Sequence, residues 1–244
     1  MDSAVRVYSE HDTVSACILG GYGISPERTK SDNKLALLEE DYVVSSEDKY
    51  YTVAGYKFEK RKKYTHEDYM KLPEDVRVEL IDGVFYEKYP ADPITGMAAP
   101  NRKHQDIVTE LVYKIRGYID RKGGDCKIYP APFAVRLKDG DKNTVEPDVS
   151  VICDKSKLTD DGCTGAPDWI IEIISPSNPG HDYIRKLNLY LDAGVREYWI
   201  INPLERLVSV YEFGKGITAP KEYSFDDEIS AGIYEDLKIC LQGF

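Results

Sequence analysis

The segment Trp169-Ile170-Ile171-Glu172-Ile173-Ile174 carries apolar side chains on both parities, the pattern of a strand covered on both faces, with a carboxylate in its middle. A buried anion without a partner costs several kcal/mol, a large share of a domain's net stability. The same oddity recurs at Asp148 in Val145-Glu146-Pro147-Asp148-Val149-Ser150-Val151-Ile152. Two central strands each interrupted by an acid imply that both acids face one site. From this pattern alone a metal centre and a buried salt bridge stand at even odds. Glu79, in Val78-Glu79-Leu80-Ile81-Asp82-Gly83, is a third acid. Alone it reads as the wet face of a hairpin, and only the company of Asp148 and Glu172 would make it functional.

A cation is offered by the segment HDYIRKLNLYLDAG. On a helical wheel Tyr183, Ile184, Leu187, Tyr190 and Leu191 share one arc, and Lys186 falls just outside its edge. Its bland role is a surface ion pair with Asp182, four residues away. Its functional role is to reach the carboxylates over the strand ends. Acids on adjacent strands plus a lysine suit hydrolysis of a phosphodiester: carboxylate oxygens hold Mg²⁺ or Mn²⁺, the metal lowers the pKa of a bound water, and the lysine stabilises developing charge. In the absence of metal such carboxylates should repel one another, so Asp148→Asn or Glu172→Gln is expected to leave the protein folded or more stable.

These residues need a scaffold. Thr65 and Asp68 form a capping-box-like helix start, and Asp82-Gly83 suits the tight turn of a hairpin, VRVELIDGVFYEK. Ile107, Leu111, Ile115 and Ile119 recur every four residues, predicting a helix with one buried stripe that ends at Gly123-Gly124. CKIYPAPFAVRL, TVEPDVSVIC and WIIEIIS read as three strands of the sheet under it, EYWIINP and RLVSVYEF as two more, and the tail from Gly214 as irregular with one last strand. The class is α/β or α+β, a mixed sheet with flanking helices. Residues 1–62 read as an N-terminal extension of unknown role and 63–244 as the domain. The extension holds a Gly-rich stretch, a short helix around residues 34–41 and the basic run Lys60-Arg61-Lys62-Lys63, a solvated linker in preference to a DNA contact.

Composition narrows the partners. A formal net charge of -11 argues against coating nucleic acid through a broad basic face, so any DNA contact must be local. No apolar run approaches the roughly 20 residues that cross a bilayer, and the start has no basic region followed by an apolar one, so no membrane association and a cytoplasmic location are expected. The five cysteines, Cys17, Cys126, Cys153, Cys163 and Cys240, form no CxxC pair and read as reduced, buried small hydrophobes in preference to zinc ligands. There is no Walker loop, dinucleotide fingerprint or nucleophile elbow, which leaves Ser175, Ser177 and His181 weak as a hydrolase set.

From Tyr64 to Phe244 the chain resembles the Uma family of bacterial endonucleases within the PD-(D/E)xK nuclease superfamily, through VELIDGVFY, RKHQDIV, YPAPFAVRL, VEPDVSVICDKSKLTDDGCTGAPDWIIEIISPSN and RKLNLYLDAGVREYWIINP in that order. The resemblance implies a restriction-endonuclease-like core, a metal-dependent endonuclease acting on DNA, active-site roles for Glu79, Asp148 and Glu172, and a homodimer. The superfamily lysine would stand two residues after Glu172, where this chain has Ile174. The family pattern moves that role to the next helix and onto Lys186. His104 and Gln105 lie in a family-like segment at a helix start, where a lone His is more often a surface or capping residue. A catalytically idle relative that holds nucleic acid or a protein partner, and a structural dimer module with salt-bridged acids, are the competing readings.

Overall fold

The computed structural model describes residues 49–89, 99–137, 141–174, 181–234 and 236–244, all within one compact unit from Val44 to Phe244. The helix expected around residues 34–41 lies outside the described residues, as do Ser175 and Ser177. β1 (Tyr50–Val53) and β2 (Tyr56–Glu59) form an antiparallel hairpin. Val53 and Phe58 are buried with Tyr64, Val78, Leu80 and Phe85, and the Phe85 amide donates to Tyr51 Oη at 3.0 Å. This hairpin precedes the boundary expected at residue 63, yet it packs onto the first hairpin of the expected domain.

α1 (His66–Tyr69) begins at the capping box of Thr65 and Asp68. β3 (Val78–Ile81) and β4 (Val84–Glu87) form the expected hairpin, and Asp82 and Gly83 adopt φ of 50° and 74°, the left-handed pair that a two-residue turn requires. α2 (Arg102–Arg121) is capped by Asn101, whose side chain accepts from the His104 amide. Its stripe of Ile107, Leu111, Ile115 and Ile119 is buried in the largest apolar core, with Val149, Val151, Trp169, Ile171 and Trp199.

The strands that follow are β5 (Lys127–Pro130), β6 (Val135–Arg136), β7 (Thr144–Val145), β8 (Val149–Ile152), β9 (Leu158–Thr159), β10 (Gly162–Thr164) and β11 (Trp169–Ile173). α3 (His181–Ala193) leads to β12 (Glu197–Asn202), β13 (Leu207–Tyr211), β14 (Lys221–Ser224), β15 (Ile229–Ser230) and β16 (Lys238–Ile239). Two mixed six-stranded sheets result, one in the order β4-β3-β7-β6-β10-β9 and the other β14-β13-β12-β11-β8-β5. The class is α+β, as expected, but two segments read as single strands divide between the sheets. CKIYPAPFAVRL breaks into β5 and β6 around a cis Ala131-Pro132 bond, and TVEPDVSVIC breaks into β7 and β8 around Glu146-Pro147-Asp148. Proline has no N–H to give a ladder, so each break falls where pairing would fail. Asp148 consequently stands where the chain passes from one sheet to the other.

β11 and β12 are parallel neighbours joined through α3, which brings that helix back over the sheet. The tail carries three strands instead of one. β14 covers β13, so β12 and β13 are interior strands and offer no free edge to the homodimer that the resemblance implies. Cys126 and Cys153 correct the expectation of reduced cysteines. They lie 27 residues apart in sequence but flank the Lys127↔Ile152 pair across β5 and β8, where a disulfide joins them. Among the described residues no helix is long and apolar enough to cross a membrane.

Candidate active site

Strand parity aims the first carboxylate. Trp169, Ile171 and Ile173 face the core under α2, so Ile170 and Glu172 point to the opposite face, where Tyr190 and Tyr198 pack. The antiparallel register of Ile171 with Val149 sets Asp148, one residue before β8, next to Glu172. Asp148 Oδ2 accepts the Ile173 amide at 2.8 Å, doing the work of a backbone acceptor at the sheet's end. Glu79 enters from β3 of the other sheet, and its Oε1 accepts the Glu146 amide at 3.0 Å. All three carboxylates are at most 3% exposed.

Each of these three carboxylates has a cation. Lys186 Nζ lies 2.7 Å from Glu79 Oε2 and 3.0 Å from Glu172 Oε1, itself only 2% exposed. The wheel set Lys186 at the rim beside Asp182. Instead it belongs to the buried stripe of α3 with Tyr183 and Tyr190, because the charges that satisfy it come from two other segments. Tyr190 Oη donates to Glu172 Oε1 at 2.8 Å. His104, one helical step before Ile107, is buried rather than on the surface, and its Nε2 meets Asp148 Oδ2 at 3.2 Å, whereas Gln105 is exposed. An ionised carboxylate only accepts, so Nε2 carries the proton in this pair.

Lys88, which the sequence reading missed, completes the cluster. Its Nζ is 3.4 Å from Glu172 Oε2, 3.5 Å from Asp148 Oδ1 and 3.7 Å from Glu79 Oε1. Burial alone would lower its pKa, but the charges of Asp148, Glu172 and Glu79 hold it well above the usual lysine value. Among the described residues no three His, Cys, Asp or Glu side chains converge as a ready-made metal cage, since the carboxylates are spread around two ammonium groups. The donors are nonetheless the hard oxygens that Mg²⁺ or Mn²⁺ prefers, and Asp148 Oδ1 is buried without a hydrogen-bond partner. That set of groups fits a hard divalent cation.

Burial pushes the Asp148 pKa up, but Lys88, the His104 hydrogen bond and the Ile173 amide outweigh it and hold the carboxyl well below the usual range. For Glu172 burial wins over Lys186 and Lys88, aided by the neighbouring acids, and its pKa is raised. The depressed Asp148 runs against the expectation that neutralising it is harmless, whereas the raised Glu172 agrees with that expectation for Glu172→Gln. Asp148 is depressed, so it contributes stability above its unfolded pKa of about 3.9 that is lost as pH falls through its folded value. Glu172 has the opposite sign, and the fold gains as pH falls from its raised value toward about 4.3. In urea melts at pH 7, Asp148→Asn should cost about 1.5–3 kcal/mol, the scale of hydrogen bonds to a charged group, and more than Glu172→Gln. The Asp148→Asn gap should narrow below about pH 4. A gap unchanged down to pH 3 would contradict this electrostatic assignment.

Two other features lie outside the cluster. Glu197 is equally buried on β12, but it accepts from Trp199 Nε1 at 2.6 Å and the Ile233 amide at 2.7 Å, and so anchors the tail. The basic run is exposed on a turn, where Lys62 pairs with Asp68 at 3.4 Å and Lys63 donates to the Asp82 carbonyl at 2.8 Å.

The model of the Uma2 family, described as "Putative restriction endonuclease", matches residues 66–239. A crystal structure of a "putative nuclease belonging to DUF820" from Anabaena variabilis is similar at a TM-score of 0.58 and 22% identity, over 73% of this chain and 95% of that one. An uncharacterized protein of Synechocystis is 25% identical over 152 residues, which span 61% of this chain and 74% of that protein. The structural likeness bears on the fold, a restriction-endonuclease-like core.

Proposed function

We propose, from the premise that the chain belongs to the Uma2 family of "Putative restriction endonuclease" proteins, that it is an endonuclease hydrolysing phosphodiester bonds of DNA with Mg²⁺ or Mn²⁺. The observation that supports this reading is that Glu79, Asp148 and Glu172, from three separate segments, are buried in one cluster, with Lys186 bridging Glu79 and Glu172 and Lys88 facing all three. Asp148 and Glu172 would hold the metal, with Glu79 as a third ligand. When bound, the metal supplies charge at the scissile phosphate and a more acidic water.

The chain's own groups prepare that site. His104 and the Ile173 amide fix Asp148 Oδ2, leaving Oδ1 as its open acceptor. Tyr190 fixes Glu172 Oε1. Lys186 draws Glu79 and Glu172 together, and its positive charge would stabilise the charge that develops on the phosphate oxygens. A nuclease fold that binds without cutting is the second reading, and Lys88 favours it, because a second ammonium neutralises carboxylates that a metal would otherwise need. Supercoiled plasmid distinguishes the two. The active reading expects nicking with Mg²⁺ or Mn²⁺ and none with chelator. Retention of plasmid in a gel shift without any strand break supports the idle one, and cleavage that survives chelator overturns the metal mechanism.

A further inference from the structure

We propose that Lys88 is a tethered cation in the position a divalent metal would take, so that metal can enter only as the Lys88 ammonium leaves. This rests on the metal-dependent reading above and adds to it a competitor built into the chain.

Distances separate the two lysines. Lys186 makes short contacts of 2.7–3.0 Å, the length of charge-assisted hydrogen bonds. Lys88 Nζ stands 3.4–3.7 Å from one oxygen of each of the three carboxylates and acts as a point charge shared between them. The Asp148 oxygen on its side, Oδ1, has no hydrogen-bond partner and is the atom best able to accept a metal.

Charge points the same way. Three carboxylates face two ammoniums, leaving one negative charge over, and exchange of the Lys88 ammonium for a divalent cation restores balance. Adding the divalent cation while both ammoniums remain would leave excess positive charge in a site shut off from water, where like charges repel strongly.

The lysine is also placed where it can withdraw. Its backbone amide donates to the Arg77 carbonyl at 3.1 Å, just past β4, so the side chain springs from the end of the hairpin, beside the exposed Glu87 and the Tyr89 ring. A four-carbon stem with four rotatable bonds gives the ammonium the reach to leave without moving a strand.

The test is Mn²⁺ binding by calorimetry to the full chain, the Lys88→Gln variant and the Asp148→Ala variant. Lys88→Gln should tighten Mn²⁺ binding about tenfold or more, as expected when a competing buried charge is removed, and Asp148→Ala should abolish it. A second measurement uses the parent alone: acetylation of Lys88, read by mass spectrometry, should be slow without Mn²⁺ and rise when Mn²⁺ saturates the site. It decides the matter should Lys88→Gln not fold. Affinity unchanged or weakened in Lys88→Gln, or Lys88 labelling unmoved by saturating Mn²⁺, overturns the tethered-cation proposal while the metal site stands. Absence of Mn²⁺ binding in both parent and Lys88→Gln, or binding that survives in Asp148→Ala, overturns the metal reading and this inference with it.

Discussion

Asp148→Ala should slow metal-dependent nicking of supercoiled DNA by about a thousandfold or more, which corresponds to about 4 kcal/mol of transition-state stabilisation. Asp148 holds three positions at once: Oδ2 takes the Ile173 amide and His104, and Oδ1 faces Lys88 without a hydrogen bond. Alanine removes the proposed metal ligand and leaves both donors unsatisfied in a buried place. Stability will fall as well, by about 3–5 kcal/mol if the charge partners are left uncompensated. Rates should therefore be compared at a temperature where circular dichroism shows both proteins folded. Asp148→Asn is the sharper comparison, since an amide oxygen can still accept from Ile173 while the charge is gone. It should nick nearly as poorly as alanine despite being the more stable variant. Nicking by Asp148→Asn within threefold of the parent would remove Asp148 from the metal site.

Much of this arrangement was legible in local patterns, for reasons that are themselves local. The parity of Trp169–Ile173 announces a strand buried on both faces, and a carboxylate there demands a partner whatever the fold. The Asp82-Gly83 turn and the Ile107–Ile119 stripe likewise depend on backbone preference and period alone. Pattern could not say which buried acid is which. Glu197 sits in a strand as deeply buried as Glu172, yet backbone and indole N–H groups satisfy it, and no ammonium meets it at salt-bridge distance among the described residues. That difference arises only when distant segments meet.

The cations were hidden for the same reason. A wheel sorts lysines to the wet face, so Lys186 was set at the rim, while the fold draws it inward because two acids from other strands pay its desolvation. Lys88 follows the exposed Glu87 in a run that reads as solvated, and its burial depends on Asp148, sixty residues further on. His104 had a signal: it stands three residues before Ile107 on the stripe that α2 buries. The division of TVEPDVSVIC between sheets had one too, in Pro147, which cannot serve a central strand.

Lys186→Met should slow nicking by about a hundredfold or more, the usual loss when one preorganised charge stabiliser is removed. The reading also expects Mn²⁺ binding to persist or tighten in this variant, because an ammonium is not a ligand, Asp148 and Glu172 remain, and a competing positive charge is gone. Methionine nearly matches the lysine stem in length, so the change is chiefly one of charge. It is not free for the fold: Glu79 and Glu172 each lose a partner at hydrogen-bond distance, and removing one member of such a buried cluster typically costs about 3–5 kcal/mol. Lys186→Arg should rescue little of either quantity, since a planar guanidinium is too wide for a site that admits Nζ at 2.7–3.0 Å from two carboxylates. Asp182→Ala serves as the contrast, because a lysine engaged only in a helix-surface pair would respond to both changes alike and weakly. Single-turnover nicking and Mn²⁺ titration on the same preparations separate the roles. Rates in Lys186→Met within a few-fold of the parent, or equal small losses in Lys186→Met and Asp182→Ala, would take Lys186 out of the chemistry and leave it as a structural counterion. A hundredfold loss of rate with Mn²⁺ affinity undiminished is the outcome expected of a charge acting on the reacting phosphate.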